Sequence, residues 1–216
     1  AIGLQVDSCS STDRRKLLLV NSWLHNSQSS AIAAKYAWID AFGCCFSEAA
    51  NGVVELWGGK YRFSQCTISN YYLFSAMFEP LLCLYHCLPG SEISDRPLMQ
   101  ASFENSILYG MTADINEGDL TGSNVYLRNV LLKSAGSDDD NFINCVWDAD
   151  PLFYTIREDY IFDYRLKNDS PAIGMGSAEF VPEESLYDIY GNYRLSSGIP
   201  DLGAFVWIYN PDLIEE

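Results

Sequence analysis

A short pattern recurs along this chain, in which an Asn, Gly or Gln stands between apolar residues at fixed distances. The markers of this pattern are Asn21, Gly43, Gln65, Asn105, Asn129 and Asn144. The first two steps, from 21 to 43 and from 43 to 65, are 22 residues long, and the later steps are 40, 24 and 15 residues. A period of this length is typical of one turn of a solenoid, and the long step indicates an insertion.

Apolar side chains occupy the same two places beside every marker. Two positions before the markers stand Leu19, Ala41, Phe63, Phe103, Leu127 and Phe142. Three positions after them stand Leu24, Phe46, Ile68, Leu108, Leu132 and Trp147. The two places are five positions apart, which is an odd number. In a flat strand their side chains would therefore point to opposite faces. We therefore expect a bend at each marker, where Asn and Gly tolerate the left-handed backbone that such a corner requires.

A second set of short apolar segments precedes the markers, at residues 1–6, 31–36, 52–57 and 80–85. No segment keeps a helical stripe for three turns, so the pattern favours short strands. The sequence thus predicts an all-β, right-handed parallel β-helix whose strands pair from turn to turn. We also expect further turns before Ala1, because an uncovered first strand would be a template for aggregation.

Charge and cysteine content narrow the function further. The chain of 216 residues has 13 Lys and Arg against 29 Asp and Glu, a formal charge of −16 that repels nucleic acids and anionic lipids. No apolar run reaches the ~20 residues of a membrane-spanning helix. The seven Cys include no CxxC pair, and Cys44, Cys66 and Cys145 each follow a marker by one position. This placement indicates small buried residues, while the disulfide state stays open.

Residues 151–216 lack the repeat and are rich in turn-forming residues. Pro171 and Pro200 interrupt strand pairing, and several glycines permit tight turns. We expect residues 1–150 to form the turns and residues 151–216 to form an irregular C-terminal cap, packed on them as one domain.

Two parts of the sequence resemble right-handed β-helix proteins exported by gut Bacteroidetes, members of the pectate-lyase-like solenoid superfamily. The segment 60–71 is similar to their turns, and the tail is similar to their closing segment. The tail residues concerned are 162–166, 170–174, Asp188, Gly191, Arg194 and 200–205. Many such proteins are surface lipoproteins, and related folds include polysaccharide lyases, glycoside hydrolases and adhesins. The resemblance implies export to the bacterial outer membrane, and it does not imply a reaction.

Two functions follow as expectations. The first is a non-catalytic cell-surface protein that binds a glycan, a peptide or a protein partner, as an accessory to a TonB-dependent nutrient-uptake complex. The alternative is a polysaccharide lyase or glycoside hydrolase that acts in a groove of the coil, where Asp40, Glu48, Glu55 or Glu104 would supply a carboxylate pair. Whether the protein is an enzyme stays open, because no catalytic residue of the pectate lyases is matched.

The candidate ligand-binding residues are aromatic side chains on neighbouring turns, which either stack on a sugar or fill the core. They are Trp57, Tyr61, Tyr71, Tyr72 and Tyr85. The insertion at 74–97 is the predicted functional loop. Asp138, Asp139 and Asp140 form a candidate Ca²⁺ site or a solvated acidic loop, and residues 112–124, with Asp114, Glu117 and Asp119, form a second acidic loop. No cofactor other than this Ca²⁺ is expected.

Overall fold

The computed structural model of the chain is a parallel β-solenoid of about five turns, which confirms the predicted fold class. The structure describes residues 1–7, 13–85, 98–116, 120–158 and 161–213. Within these ranges, helical structure is limited to three short 3₁₀ segments, Ala178–Phe180, Glu183–Ser185 and Pro211–Leu213. No helix in this part of the chain is long and apolar enough to cross a membrane.

The strands are short, apart from two that run on through a corner of the coil. In chain order they are β1 (Leu4–Val6), β2 (Leu17–Val20), β3 (Trp23–Leu24), β4 (Ile32–Lys35), β5 (Trp38–Phe42), β6 (Cys45–Ser47), β7 (Val54–Trp57), β8 (Gly59–Ser64), β9 (Thr67–Asn70), β10 (Leu82–Tyr85), β11 (Leu98–Gly110), β12 (Val125–Leu132), β13 (Phe142–Ile143), β14 (Phe153–Glu158) and β15 (Ile161–Leu166). Except for β14 and β15, every pair is parallel.

Each of the first three turns contributes three strands, and equivalent strands stack. The first sheet has the order β1-β4-β7-β10, and the second contains two stacks, β2-β5-β8 and β3-β6-β9. The long strand β11 pairs with both β8 and β9, so it joins the two stacks into one bent sheet. Strand β12 pairs with β11 from Val125, opposite Ala101, to Leu132, opposite Leu108. The coil is therefore three-sided, and its second and third sides meet at a corner.

The markers of the sequence repeat form that corner. All six have the left-handed backbone that we expected: Asn21, Gly43, Gln65, Asn105, Asn129 and Asn144, with φ between +45° and +66°. The flanking apolar positions pair in register, as in Ala41 with Phe63 and Phe103 with Leu127. They belong to one buried cluster, in which Phe63 stacks on Phe103 at 5.2 Å between ring centroids. The bend at each marker thus directs both flanks into a single core, as the repeat predicted.

The C-terminal segment lies along the corner of the coil. After the antiparallel hairpin β14–β15, its backbone accepts hydrogen bonds from the corner amides. Asn105 Nδ2 donates to Ser177 O at 2.8 Å, and its Oδ1 accepts from Ser177 N at 2.8 Å. Asn21 and Asn129 donate likewise to Tyr187 O and Met175 O. The corner amides therefore hold the segment as well as shaping the turns.

Gly43 is the one marker without a side chain among these six, and a buried arginine lies beside it. Arg194 is 3% exposed and donates to the carbonyl oxygens of Ser185 at 2.9 Å and Ala204 at 2.7 Å. A Cβ added to Gly43 would collide with Asn21 Oδ1 and lie 2.9 Å from Arg194 Nη2. Glycine at this corner therefore leaves the space that the guanidinium occupies.

Candidate functional site

A cavity of about 410 Å³ opens where the chain leaves β6. Its walls are mostly aromatic and apolar, and its polar groups are two amides and one acid. The lining residues are Asn26, Gln28, Glu48, Tyr72, Leu73, Phe74 and Phe162. Because β3, β6 and β9 stack here, residues that are far apart in sequence meet at one point of the coil. We refer to this space as the Glu48 cavity.

Glu48 is an unusual residue for its place. It is 2% exposed, and its φ of +46° puts a long side chain in the left-handed region that glycine and asparagine prefer. Burial raises the pKa of Glu48 above its ordinary value, and hydrogen bonds from Ser47 and Tyr164 oppose this rise. A buried acid with a perturbed pKa, held in a strained backbone beside a cavity, is typical of a functional position.

A chain of hydrogen bonds fixes the Glu48 carboxyl group. Trp23 Nε1 donates to Ser47 Oγ at 3.0 Å, and Ser47 Oγ donates to Glu48 Oε2 at 2.7 Å. The hydroxyl of Tyr164, from the C-terminal hairpin, donates to Glu48 Oε1. Each carboxylate oxygen can accept a further hydrogen bond. The carboxyl group is thus oriented in advance and retains capacity for a hydroxyl or ammonium donor.

Asn70, the last residue of β9, positions the aromatic wall. Its Oδ1 accepts from Ala49 N at 3.1 Å and from Tyr72 N at 3.2 Å, while its Nδ2 donates to Ala49 O at 2.8 Å. These bonds tie the start of the segment after β9 to the chain beside Glu48. Tyr72 and Phe74 then form an edge-to-face pair at 5.5 Å, and Phe74 is 73% exposed. An exposed ring therefore stands at the mouth of the cavity.

The five predicted aromatic residues do not form one site. Tyr72 lines the Glu48 cavity, Tyr71 packs against a second apolar cluster, and Tyr61 is buried inside the coil at 1% exposure. Trp57 and Tyr85 pair in register on the first sheet and stack at 5.2 Å between centroids. Of these residues, Tyr72 is placed best to meet a ligand.

The three aspartates of the predicted Ca²⁺ site have different surroundings. Asp138 accepts from Asn144 N at 2.6 Å and from Trp147 Nε1 at 3.0 Å. Asp139 Oδ1 accepts from the backbone of residues 141 and 142 at 2.7 and 2.8 Å, and all three aspartates are exposed. Within the described ranges, no three acidic, His or Cys side chains are grouped to hold a metal ion. The first two aspartates thus fold the loop, and Ca²⁺ binding stays a prediction.

The other predicted acids are placed apart from one another. Asp40 forms an ion pair with Arg15 at 3.0 Å, and Glu104 lies between Arg62 at 2.9 Å and Arg128 at 3.7 Å. Ser30 Oγ donates to Glu55 Oε1, and Asp114 lies on the last turn. Glu117 and Asp119 are outside the described residues. Arginine residues thus pair with Asp40 and Glu104, and of the four predicted strand acids it is Glu48 that lines the cavity with Tyr72, Phe74 and Phe162.

Sequence reasoning did not identify Phe162 as a wall of this cavity, whereas Phe74 begins the predicted functional loop. Phe162 comes from the hairpin of the C-terminal segment. No periodicity links Phe162 to the turns, because the hairpin reaches the cavity through tertiary packing alone. Comparison with family models, with curated proteins and with solved structures gives no match. The family resemblance of the sequence therefore stays a prediction.

Proposed function

We propose that this protein is a non-catalytic binding protein that holds a sugar ring of a glycan in the Glu48 cavity. The observation that carries the proposal is the buried carboxyl group of Glu48 in a cavity with exposed aromatic walls. Aromatic rings stack on the apolar faces of sugars, and fixed polar groups select the orientation of their hydroxyls. Both kinds of group are present within one space of about 410 Å³.

The surroundings of the cavity favour a neutral or cationic sugar. Glu48 can accept a hydrogen bond from a ligand hydroxyl, and the amides of Asn26 and Gln28 can donate and accept. The formal charge of −16 on the chain repels uronic acids and sulfated sugars. We therefore expect neutral hexose polymers to bind better than acidic polysaccharides of the same length.

Glycoside hydrolysis is the alternative, and the raised pKa of Glu48 is the observation that favours it. A buried acid that keeps its proton can protonate a leaving group. Most glycosidases need a second carboxylate about 5–10 Å away. Glu48 is the one acid among the described residues that line the cavity, so binding without cleavage is the better account.

Calorimetric titration with a panel of soluble neutral and acidic glycans tests the proposal. Phe74→Ala removes the ring at the mouth of the cavity and should weaken binding by about tenfold. Phe78→Ala is the matched control, because Phe78 is 86% exposed in the same segment and does not line the cavity. Equal affinities of the wild-type protein and Phe74→Ala, or equal losses in both variants, would refute this site.

The same samples separate binding from catalysis. We expect no new reducing ends and no unsaturated products after incubation with the glycans that bind. If products form with the wild-type protein and vanish with Glu48→Gln, the hydrolase replaces the binding protein as the function of this cavity.

The cellular setting is a further part of the proposal and depends on the sequence resemblance. We propose an exported protein at the bacterial outer-membrane surface, beside a TonB-dependent transporter. Fractionation of the source cells and co-purification after cross-linking test it. Recovery in the cytoplasmic fraction would contradict the proposed location.

A further inference from the structure

A second cavity, of about 310 Å³, lies beside the last turn of the coil, on residues that the glycan proposal does not use. Its apolar part includes Leu132, Phe142 and Trp147, which continue the core columns of the repeat. Its polar part includes Asp114, Asp139 and the loop that follows β12. The cavity therefore combines the open end of an aromatic core with acidic side chains, and we call it the Asp114 cavity.

Asp114 is buried with half of its carboxyl group unpaired. The side chain is in a residue that is 2% exposed, and its Oδ2 accepts from Ser134 N at 2.8 Å. The other oxygen, Oδ1, is buried and has no hydrogen-bond partner within the described ranges. An unpaired buried carboxyl oxygen costs free energy comparable to that of a lost hydrogen bond or more. A side chain of this kind in a cavity wall points to a ligand that carries hydrogen-bond donors or a positive charge.

The nearby Lys133 forms no ion pair with this carboxyl group, although its charge opposes the rise in the pKa of Asp114 that burial causes. Lys133 Nζ donates to the carbonyl oxygen of Gly110 at 2.9 Å, which directs its charge to the backbone. Asp139, the second acid of the cavity, has its Oδ1 bonded to the backbone of its own loop. The acids of the cavity are thus only partly compensated by the chain.

Two aromatic rings complete the site. The centroids of Phe142 and Trp147 are 5.0 Å apart, and Trp147 Nε1 donates to Asp138 Oδ1 at 3.0 Å, which fixes the indole. The indole also packs directly against Gly136, where any side chain would collide with it. Ring faces beside carboxylates attract ammonium groups through both cation–π and Coulomb interactions. A hydrated divalent cation would gain little from these rings.

We propose that the Asp114 cavity binds a primary ammonium group, which the carboxylates of Asp114 and Asp139 attract while Trp147 contacts its aliphatic or sugar carbons. Such a group is present both on an alkyl chain, as in a lysine side chain, and on an amino sugar. The volume of about 310 Å³ accommodates either one. The chain's formal charge of −16 raises the local concentration of cations near it.

Chemical-shift titration of the full chain tests the proposal, with n-butylammonium, glucosamine and glucose as probes. We expect millimolar binding of at least one cation, with shifts at Trp147, and no binding of glucose at this site. Tighter binding of n-butylammonium identifies an alkyl amine as the ligand, and tighter binding of glucosamine identifies an amino sugar. If neither cation binds, or if glucose produces the same shifts at Trp147, the proposal is overturned.

Two variants and one control locate the binding. Asp114→Asn keeps an acceptor for Ser134 N and should weaken cation binding by about tenfold. Trp147→Leu removes the ring and should weaken it severalfold, so the test survives if one variant fails to fold. Asp140→Asn removes an exposed charge of the same loop and should leave the affinity unchanged. Wild-type affinity in both folded site variants would overturn the assignment, as would Ca²⁺ competing for the same shifts with higher affinity.

Discussion

In the coil, core side chains meet their equivalents one turn away, as Phe63 pairs with Ala41 on one side and stacks on Phe103 on the other. In the C-terminal segment nothing repeats, and its backbone carbonyls are held one at a time by polar side chains such as Asn105 and Arg194. The coil thus gains stability from apolar area that every turn shares. The segment depends on a few buried donors, and the loss of one of them leaves carbonyl groups without partners.

This difference separates two kinds of damage. A cavity in the stacked core weakens the turns on both sides of it, so the whole coil loses stability. Loss of a donor at the corner weakens the attachment of the segment first, because the turns keep their own hydrogen bonds. The following variants should therefore differ in which region unfolds as well as in how much stability they lose.

The largest effect should come from Phe103→Ala. Phe103 is fully buried and stacks on Phe63 in the centre of the coil. Its truncation should lower the free energy of unfolding by about 3–5 kcal/mol. Guanidinium denaturation followed by far-UV circular dichroism measures the loss, with Phe78→Ala as an exposed control. A loss below about 1 kcal/mol would mean that the rings do not share one core, as surface substitutions have effects of this size.

Arg194→Met should have the next largest effect, about 2–3 kcal/mol, because several carbonyl oxygens lose their donor. Burial lowers the pKa of Arg194 to about 10, which means that burying its charge costs free energy. Carbonyl oxygens and the more distant acids offset part of this cost. Limited proteolysis should cut residues 167–213 first, while the circular dichroism of the strands persists. Simultaneous unfolding of coil and segment would contradict the distinction between them.

Gly43→Asn is the variant matched to Arg194→Met, because it changes the other side of the same contact. Asparagine is the residue at four of the other markers. The φ of +66° is accessible to asparagine, but its Cβ would collide with Asn21 Oδ1 and lie 2.9 Å from Arg194 Nη2, and both side chains hold the C-terminal segment. We expect the variant to release the same segment as Arg194→Met. Wild-type resistance to proteolysis would show that the guanidinium does not need this space.

The repeat predicted the regular region because each corner and each apolar column is a local pattern that recurs. It identified Gly43 as a corner, but it gave no sign that Arg194 occupies the missing side chain's place, since that contact spans 151 positions of the chain, from 43 to 194. The repeat did not predict the Glu48 cavity for the same reason. Glu48 and Tyr72 were noted separately as an acid and an aromatic, whereas the contribution of Phe162 depends on how the hairpin packs.

Glu48→Gln should change the pH dependence of stability, because this residue joins the coil to Tyr164 of the segment. Burial raises the pKa of Glu48 above 4.5, so the folded protein holds the proton more tightly than the unfolded chain. The free energy of unfolding should then fall as the pH rises from 4.5 through the folded pKa. Glutamine removes this component, so Glu48→Gln should lose less stability than the wild type as the pH rises from acidic to neutral.

Denaturation of both proteins at several pH values checks this expectation. The other acids whose pKa burial raises, Glu55, Asp114 and Asp201, contribute equally to both proteins and cancel in the difference. A difference between the two proteins that is constant from pH 4 to pH 8 would show that Glu48 has the same pKa in the folded and unfolded states.

The smallest effect should come from Arg15→Ala, on the outer face of the coil. There a row of alternating charges crosses the turns: Asp40 pairs in register with Arg62, Glu104 pairs in register with Arg128, and Arg62 Nε donates diagonally to Glu104 Oε2. Arg15 bonds to Asp40 at the start of this row, but its side chain is 38% exposed and Asp40 keeps the indole N–H of Trp38 as a donor. We expect a loss in the free energy of unfolding below about 1 kcal/mol that disappears in 1 M salt.

Glu104→Gln should lower the free energy of unfolding by more than Arg15→Ala, because Glu104 is 5% exposed and lies between two arginines. Equal losses in the two variants would mean that the row of charges contributes nothing as a row, and that only the apolar columns benefit from repetition.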